Sequence, residues 1–213
     1  AELNRTASQI AIDMDALGIE PGERVGISAG RSIELVASML AVFKLGGCAV
    51  VIDPSLPRQR QAFMAQDANI SILLFDGRDS VHQDNNEAVG ALAPLTLDIA
   101  QCFGIDSTSR VWRTPIFEDN LSAYVLYTSG STGVPKGVEV TQSSLHNECC
   151  WHIDQFKLNE DSIGTSLAFA GFDAFLAEVF PLLMSAGHVV LIEDKDRDNL
   201  TALSDCMNSH NVT

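Results

Sequence analysis

The sequence predicts an α/β protein in which helices cover both faces of a largely parallel sheet. Helical and extended segments alternate along the first part of the chain, which is the order that parallel strands with helical crossovers produce. The predicted strands are continuous apolar runs, as expected where both faces of a sheet are buried. With 46% hydrophobic and 19% charged residues among 213, the composition is typical of a folded protein.

The first four predicted elements are a helix, a strand, a second helix and a second strand. Apolar residues recur every three or four positions in the first helix and stop at Gly18, which predicts a glycine end. Ser32 stands where it can cap the second helix, which ends at Gly46 and Gly47. The predicted helices cover residues 3–17 and 33–43, and the predicted strands cover 24–29 and 48–52.

The middle of the chain holds a polar helix and short strands. Two prolines break the preceding strand, after which a helix is predicted over residues 58–68 and a strand over 71–75. Residues 76–120 are rich in Asp, Asn, Ser and Thr with weak periodicity. We therefore expect mostly surface connection there, apart from a strand over 95–99, and assign no function to it.

The last part of the chain returns to alternating strands and helices. Two predicted strands flank a loop rich in Gly, Ser and Thr, and Ser143 or Ser144 can cap the helix that follows. Because no repeat and no Pro- or Ser-rich linker divides the sequence, it predicts one incomplete domain over residues 1–213. The predicted strands are 123–127, 137–141, 165–169 and 188–192; the helices end at Phe156, run from Asp173 to Gly187 and lie within 198–209; a further apolar element begins at Val212.

The charge of the chain argues against nucleic-acid and membrane partners. Thirteen Lys and Arg residues against 28 Asp and Glu give a net charge of −15, which repels phosphate backbones and anionic lipid. The most apolar stretch, from Leu167 to Ile192, is interrupted by charged residues and a proline, so no membrane-spanning segment is predicted. The N-terminus lacks the pattern of a secretory signal, and we expect a cytoplasmic protein.

The five cysteines are expected to be buried thiols of a reducing compartment. Their number is odd, no Cys-x-x-Cys spacing occurs, and the five His residues show no paired spacing with them. The sequence therefore predicts no zinc site and no metal ligand in this chain. His146 and His152 flank two cysteines on a predicted helix whose apolar residues indicate ordinary packing rather than a metal or catalytic pair.

One loop, residues 128–137, is the candidate binding site. Its glycines permit backbone conformations closed to other residues and let amide groups approach a ligand, while four hydroxyls add donors. Such a loop can wrap phosphates, although it is not a Walker loop, because Gly-x-x-x-x-Gly-Lys-Ser/Thr is absent. The candidate phosphate-binding residues are Thr128, Ser129, Gly130, Ser131, Thr132, Gly133, Lys136 and Gly137.

Lys136 is the candidate anchor for a polyanion. It is the only Lys or Arg between Thr114 and Phe156, a stretch that contains five acidic residues. An acidic protein can hold ATP only where cations and N–H dipoles are concentrated locally and Mg²⁺ offsets the remaining charge. Composition alone also allows a flexible Gly/Ser/Thr hairpin with a solvated lysine.

Three motifs carry a family resemblance. The string Tyr-Thr-Ser-Gly-Ser-Thr-Gly-x-Pro-Lys-Gly, residues 127–137, resembles the phosphate-binding signature of the adenylate-forming, or AMP-binding, enzyme superfamily. Residues 44–54 are similar to the motif Lys-Ala-Gly-Gly-Ala-Tyr-Val-Pro-Ile-Asp-Pro of nonribosomal peptide synthetase adenylation domains, with several inner differences. Residues 172–174, followed by Glu-Val-Phe-Pro at residues 178–181, resemble their Phe-Asp-Ala-Ser motif, with Phe175 standing where the family usually has Ser.

The resemblance implies part of the large N-terminal subdomain of the adenylate-forming fold, within a larger synthetase. It implies a ligase that uses ATP and Mg²⁺ to activate an amino acid as aminoacyl adenylate, with this fragment inactive alone. The acyl group would pass to the phosphopantetheine of a carrier protein, in secondary metabolism, so the carrier domain and other synthetase modules are the expected partners. An acyl-CoA ligase and a non-catalytic nucleotide-binding scaffold stay open as alternatives.

The resemblance also assigns residue roles. Residues 128–136 would surround the pyrophosphate part of ATP, and Lys136, the catalytic candidate, would offset its charge. Asp173 would pair with the α-ammonium of a bound amino acid. Asp173 and Ala177 share one helix face, where a small residue leaves room for a bulky substrate group. Without the resemblance, Asp173 would be a helix N-cap. The substrate-binding candidates are Phe172, Asp173, Ala174 and Ala177.

Overall fold

The protein divides into two compact units, Ala1–Gln142 and Ser143–Thr213, and each is an α/β structure in its own right. No helix among the described residues combines the length and the apolarity needed to cross a bilayer. The computed structural model describes residues 2–77, 92–103, 112, 115, 121–128, 135–192 and 196–213.

A six-stranded sheet forms the centre of the first unit, in the order β4-β3-β1-β2-β5-β6. The first five strands in this order pair in parallel, and β6 pairs antiparallel to β5. The predicted largely parallel sheet is therefore confirmed. The strands are β1 (Arg24–Ser28), β2 (Cys48–Val51), β3 (Ile72–Phe75), β4 (Leu95–Asp98), β5 (Ser122–Thr128) and β6 (Lys136–Thr141).

Helices α1 (Glu2–Ala16) and α2 (Ile33–Leu45) pack against each other, and α2 also contacts β1 and β2. The hydroxyl of Ser32 accepts the N–H of Leu35 at 3.2 Å and so caps α2, as predicted. At the other end Gly46 adopts a φ of 77°, a left-handed conformation that glycine takes without strain. Local sequence signals therefore set both ends of α2.

Helix α3 (Arg58–Asp67) packs on one face of the sheet. Its Met64 lies in a buried cluster with Cys48 and Val50, which are alternate residues of β2. The residue between them, Ala49, points to the other face and is fully buried as well. Strand β2 is thus covered on both sides, which explains its uninterrupted apolar sequence.

The second unit is built on two parallel strands and a helix that lies against both. A Cβ at Gly164 would lie only 2.5 Å from Leu182 Cδ1, so the strand and helix approach closely where glycine leaves room. The elements after β6 are α4 (Gln142–Phe156), β7 (Ile163–Ser166), α5 (Asp173–Met184), β8 (His188–Leu191) and α6 (Leu200–Ser209).

The start of α4 differs from the prediction that Ser143 or Ser144 caps it. The helix begins at Gln142, directly after β6 ends at Thr141, so both serines lie inside its first turn. The N–H of Gln142 donates to the Leu121 carbonyl at 2.8 Å. A backbone carbonyl therefore supplies a partner at this helix start, where the prediction placed a serine side chain.

Strand β7 lies two to three residues before the predicted strand 165–169. It ends at Ser166 because the next two amides, Leu167 and Ala168, donate to the carboxylate of Glu178. A side chain distant in sequence takes these two donors, so the periodicity of the segment did not locate the strand end.

Two further predictions concern the second unit, the end of α5 and an element beginning at Val212. Helix α5 ends at Met184 rather than at Gly187, because Ala186 has a φ of 62° and the N–H of Gly187 donates to the Leu182 carbonyl at 2.8 Å. In the region predicted to begin another element at Val212, the N–H of Thr213 donates to the Ile163 carbonyl of β7 at 3.0 Å.

Candidate functional site

The open end of the β5–β6 hairpin carries the described residues of the predicted phosphate site. Thr128 and Lys136 are the last pair of the ladder, and Thr128 Oγ1 lies 3.5 Å from the Lys136 carbonyl oxygen. Gly137 follows, opposite Tyr127. The structure therefore brings Thr128, Lys136 and Gly137 together, while the predicted residues Ser129, Gly130, Ser131, Thr132 and Gly133 lie outside the described residues.

The charge of Lys136 is separated from the nearest carboxylate of its own strand. Side chains alternate along a strand, so Lys136 and Glu139 lie on opposite faces of the sheet. Glu139 is engaged on its own face, where it accepts from Ser122 and pairs with Arg24 at 3.3 Å. Among the described residues, no acidic side chain forms an ion pair with Lys136, which is exposed. Lys136 therefore presents a positive charge to solvent on the face of the sheet opposite Glu139.

Gly137 makes room for Tyr127, the residue that directly precedes the predicted loop. A Cβ at Gly137 would lie 3.0 Å from Val125 Cγ1 and 3.3 Å from Tyr127 Cζ, closer than most side chains tolerate. Gly137 was predicted as a phosphate-binding residue, and what the structure shows at this position is a packing function. The absence of a side chain at position 137 lets the hairpin close over an aromatic ring.

Tyr127 ties the hairpin to α3, a contact that the sequence analysis missed. Its hydroxyl donates to Asp67 Oδ2 at 2.7 Å and lies 3.3 Å from the Met64 carbonyl, and its ring meets Phe63 edge-on at 6.4 Å. Burial, reinforced by the bond to Asp67, raises the pKa of the Tyr127 phenol, so the hydroxyl stays a donor. In the sequence, the one feature that singled out Tyr127 was its position as the first residue of the motif at 127–137.

The second set of predicted residues lies at the start of α5. Phe172, not Asp173, is the N-cap, and its side chain is 59% exposed. Asp173 is the first helical residue, is exposed, and accepts the N–H of Ala174 on Oδ1 at 2.8 Å. A carboxylate in this position is stabilised by the positive end of the helix dipole. The N-cap alternative for Asp173 is therefore wrong, and its carboxylate faces solvent.

The neighbours of Asp173 divide between site and core. Two predicted substrate contacts, Ala174 and Ala177, lie within the first turns of α5, which begins at Asp173. Ala174 is exposed, and Ala177, one turn after Asp173, is half-buried. Phe175, which stands where the family usually has Ser, is fully buried. Its side chain belongs to the core of the unit, so this departure from the family motif does not place a phenyl ring in the candidate site.

An aromatic stack beside Phe172 was not foreseen. The ring of Phe169 lies 6.1 Å from that of Phe172, and the guanidinium carbon of Arg197 is 3.7 Å from the centre of the Phe169 ring. This is a cation–π contact. Phe169 lies just before the motif at 172–174 and could have been noticed, whereas Arg197 is remote in sequence and has no motif of its own.

The cysteines only partly match the prediction of buried thiols. Cys48, Cys102 and Cys149 are buried, but Cys150 is exposed and Cys206 is half-buried. Helix α4, whose apolar residues were predicted to pack in the ordinary way, buries Leu145 and Cys149, whereas Trp151 and Phe156 are 56% and 61% exposed. Cys150 Sγ lies 3.7 Å from the His146 ring. Within the described residues, no three His, Cys, Asp or Glu side chains gather as a metal site requires.

Sequence comparison identifies relatives along the whole chain. The model of the AMP-binding enzyme family matches residues 1–213. Surfactin synthase subunit 1 of Bacillus subtilis (strain 168) is 34% identical over 216 residues, with 100% of this chain covered. Tyrocidine synthase 2 of Brevibacillus parabrevis is 36% identical over 208 residues, with 95% covered. The chain spans 6% and 5% of the length of these two relatives.

Solved structures show the same fold. A variant of the nonribosomal peptide synthetase FmoA3 matches with a TM-score of 0.86 and 27% identity, covering 100% of this chain and 22% of that one. The four-domain synthetase AB3403, bound to AMP and glycine, matches with a TM-score of 0.84 and 27% identity, covering 100% and 15%. The predicted fold class, the N-terminal subdomain of the adenylate-forming fold, is thereby confirmed. The chain belongs to the AMP-binding enzyme family.

Proposed function

We propose that the chain forms the N-terminal part of an adenylation domain in a nonribosomal peptide synthetase. The reaction converts an amino acid and Mg-ATP to an aminoacyl adenylate and pyrophosphate. A carboxylate oxygen attacks the α-phosphorus, and the bond to the pyrophosphate oxygen breaks. Support comes from the relatives, which are peptide synthases, and from a neighbour of known structure that binds AMP and glycine.

The observation that carries the proposal is the exposed Lys136 beside Thr128 at the end of the hairpin. Its charge is not cancelled by Glu139, which Arg24 holds on the opposite face. We assign Lys136, with the hydroxyls and amides of residues 128–133, to the β- and γ-phosphates of ATP. Fixed donors there align two anions and stabilise the charge that develops as pyrophosphate departs. Gly137 contributes by shaping the hairpin.

Mg²⁺ accompanies ATP in this proposal and would offset its remaining negative charge. The exposed Lys136 and the hydroxyl of Thr128 suit a polyphosphate partner better than a bare cation, because an ammonium group repels a metal ion. None of the described residues is assigned as a ligand of the ion. The chain's own contribution is binding and orientation of the phosphates.

Asp173 is assigned to the α-ammonium group of the amino acid. Its carboxylate is exposed at the start of α5, and among the described residues no basic side chain pairs with it. Phe172, Ala174 and Ala177 would surround the rest of the substrate. This assignment favours an amino acid over the substrates of acyl-CoA ligases, which lack the ammonium group.

The partners follow from the proposed context. The adenylate would pass its acyl group to the phosphopantetheine thiol of a carrier domain, within a longer synthetase of which residues 1–213 are one incomplete domain. The net charge of −15 disfavours binding to nucleic acid or anionic membranes. We place the protein in the cytoplasm, in secondary metabolism.

Exchange of labelled pyrophosphate into ATP, dependent on an amino acid, tests the proposal in the longer protein that carries this chain. Lys136→Gln removes the charge and should lower exchange by roughly 30- to 1,000-fold, since loss of one preorganised donor costs about 2–4 kcal/mol in the transition state. Lys157→Gln is the matched control, because Lys157 is exposed and its ammonium group pairs with Asp154 near the end of α4.

A loss of less than about tenfold in Lys136→Gln would remove the assigned role. Calorimetry with Mg-ATP then distinguishes an enzyme from a scaffold. The proposal expects binding that weakens in Lys136→Gln and amino-acid-dependent exchange in the unmodified protein. Binding without any exchange would favour the non-catalytic alternative.

A further inference from the structure

We propose that Glu178 is a positioning residue for the amino-acid site, acting through the connection between β7 and α5. This inference rests on the proposed role of Asp173. Glu178 would not touch the substrate. It would hold the segment 167–171, which leads directly into Phe172 and Asp173, in the conformation that the site requires.

The bonds are specific and charge-assisted. Glu178 Oε2 accepts the N–H of Leu167 at 2.8 Å and that of Ala168 at 2.9 Å. Both amides follow the last residue of β7, where the chain leaves the ladder. One carboxylate oxygen thus orients two consecutive peptide groups, and hydrogen bonds to an ionised acceptor are stronger than neutral ones.

The connection is therefore fastened to α5 at both ends. Its far end is the helix start itself, at Phe172 and Asp173, and its near end is bound by Glu178, which lies five residues into the same helix. Between these points the N–H of Phe172 donates to the Phe169 carbonyl at 3.0 Å. Residues 167–171 therefore form a short loop that precedes α5 and is held at its first residues by Glu178, a side chain of α5 itself.

Movement of this loop would change the proposed substrate site because Phe169, a residue of the loop, lies beside Phe172. Its ring lies 6.1 Å from Phe172, and Arg197 stacks on it at 3.7 Å. Helix α5 itself is held by fully buried Phe175 and Val179. If the carboxylate of Glu178 is lost, the helix stays and the loop moves, and with it the aromatic side of the proposed substrate pocket.

Steady-state exchange kinetics of Glu178→Gln in the longer protein test the inference. The variant keeps the size of the side chain but removes its charge. We expect the KM for the amino acid to rise about tenfold, while the KM for ATP changes less than twofold, because a small displacement near a reacting group weakens substrate positioning. Glu160→Gln, an exposed acid of the same unit, is the matched control and should match the unmodified protein.

Hydrogen exchange measured by mass spectrometry on the peptide covering Leu167 and Ala168 supplies a second readout. Protection should fall in Glu178→Gln and stay unchanged in Glu160→Gln. Unchanged protection, or equal changes in the KM values for ATP and the amino acid, would overturn the positioning role.

Asp173→Asn separates the role of Glu178 from the proposed role of Asp173. If Asp173→Asn impairs amino-acid use and Glu178→Gln does not, only the role of Glu178 fails. If neither variant has an effect, the proposed amino-acid site is wrong as well.

Discussion

Thr128 and Lys136 lie directly opposite each other in the last pair of the β5–β6 ladder, with Thr128 Oγ1 3.5 Å from the Lys136 carbonyl oxygen. Opposed residues of an antiparallel pair project from the same face, so a hydroxyl and an ammonium group stand side by side. The 3.5 Å contact is long for a hydrogen bond from a hydroxyl. The hydroxyl of Thr128 can therefore exchange this partner for a ligand oxygen.

Thr128→Val should weaken use of ATP without unfolding the hairpin. Valine keeps the β-branched shape that suits a strand and removes only the hydroxyl. The loss of one hydrogen bond costs about 0.5–1.5 kcal/mol, so the KM for ATP should rise roughly two- to tenfold. Amino-acid-dependent pyrophosphate exchange at varied ATP concentration measures this in the longer protein.

Thr128→Ser is the control for that experiment, because it retains the hydroxyl and should stay within twofold of the unmodified protein. A rise in the KM for the amino acid alone, with ATP use unaffected in Thr128→Val, would contradict the assignment of this hairpin to phosphates.

Asp173→Asn should lower kcat/KM for the amino acid far more than it affects ATP. The amide keeps the shape of the side chain but cannot offer a negative charge to an ammonium group. Hydrogen bonds to charged groups contribute about 1.5–3 kcal/mol, which corresponds to roughly 10- to 150-fold. Exchange assays with varied amino acid measure the effect. Retention of full activity would instead favour a carboxylate substrate that lacks the ammonium group.

The sheet of the first unit could be predicted from sequence because its signals are local. Continuous apolar runs identified β1 to β3, Ser32 identified the start of α2, and Gly46 its end. In the second unit the predicted strand at 165–169 differs from β7, which ends at Ser166. The two amides after Ser166 donate to the carboxylate of Glu178, which belongs to helix α5. Periodicity records which residues face a core, and it carries no information on which distant side chain accepts a backbone donor.

The same limit applies to the site. The order of residues 127–137 identified the hairpin, since the motif is contiguous in sequence. The hydrogen bond from the Tyr127 hydroxyl to Asp67 joins residues 60 positions apart, and no local sequence pattern indicates it. The stack of Arg197 on Phe169 is hidden for the same reason. The helices and strands could be predicted from the sequence, whereas the side-chain contacts between them could not.

Gly137→Ala should destabilise the first unit. The added Cβ would come within 3.0 Å of Val125 and 3.3 Å of the Tyr127 ring, so the ring or the strand must shift. Overpacking of this kind costs about 1–3 kcal/mol. Urea denaturation of the chain gives the free energy of unfolding. Gly171→Ala is the control, because nothing lies within 4 Å of a Cβ there, and its stability should change little.

The buried thiols should make stability fall at alkaline pH. Burial raises the pKa of Cys48 and of Cys102 from about 9 to about 12. Between these values the unfolded chain loses protons that the folded chain keeps, so the free energy of unfolding decreases as pH rises. The stability from these thiols is complete below pH 9 and is lost as pH passes through 12.

Each buried thiol should cost about 1.4 kcal/mol of stability at pH 10, which lies one pH unit above the unfolded pKa, since each such unit costs about 1.4 kcal/mol. Urea denaturation under reducing conditions at pH 8 and pH 10 measures the difference between the two free energies. Cys102→Ala should reduce that difference, whereas Cys150→Ala should leave it unchanged, because Cys150 is exposed. An equal effect of both substitutions would mean that the alkaline loss arises from groups other than the buried thiols.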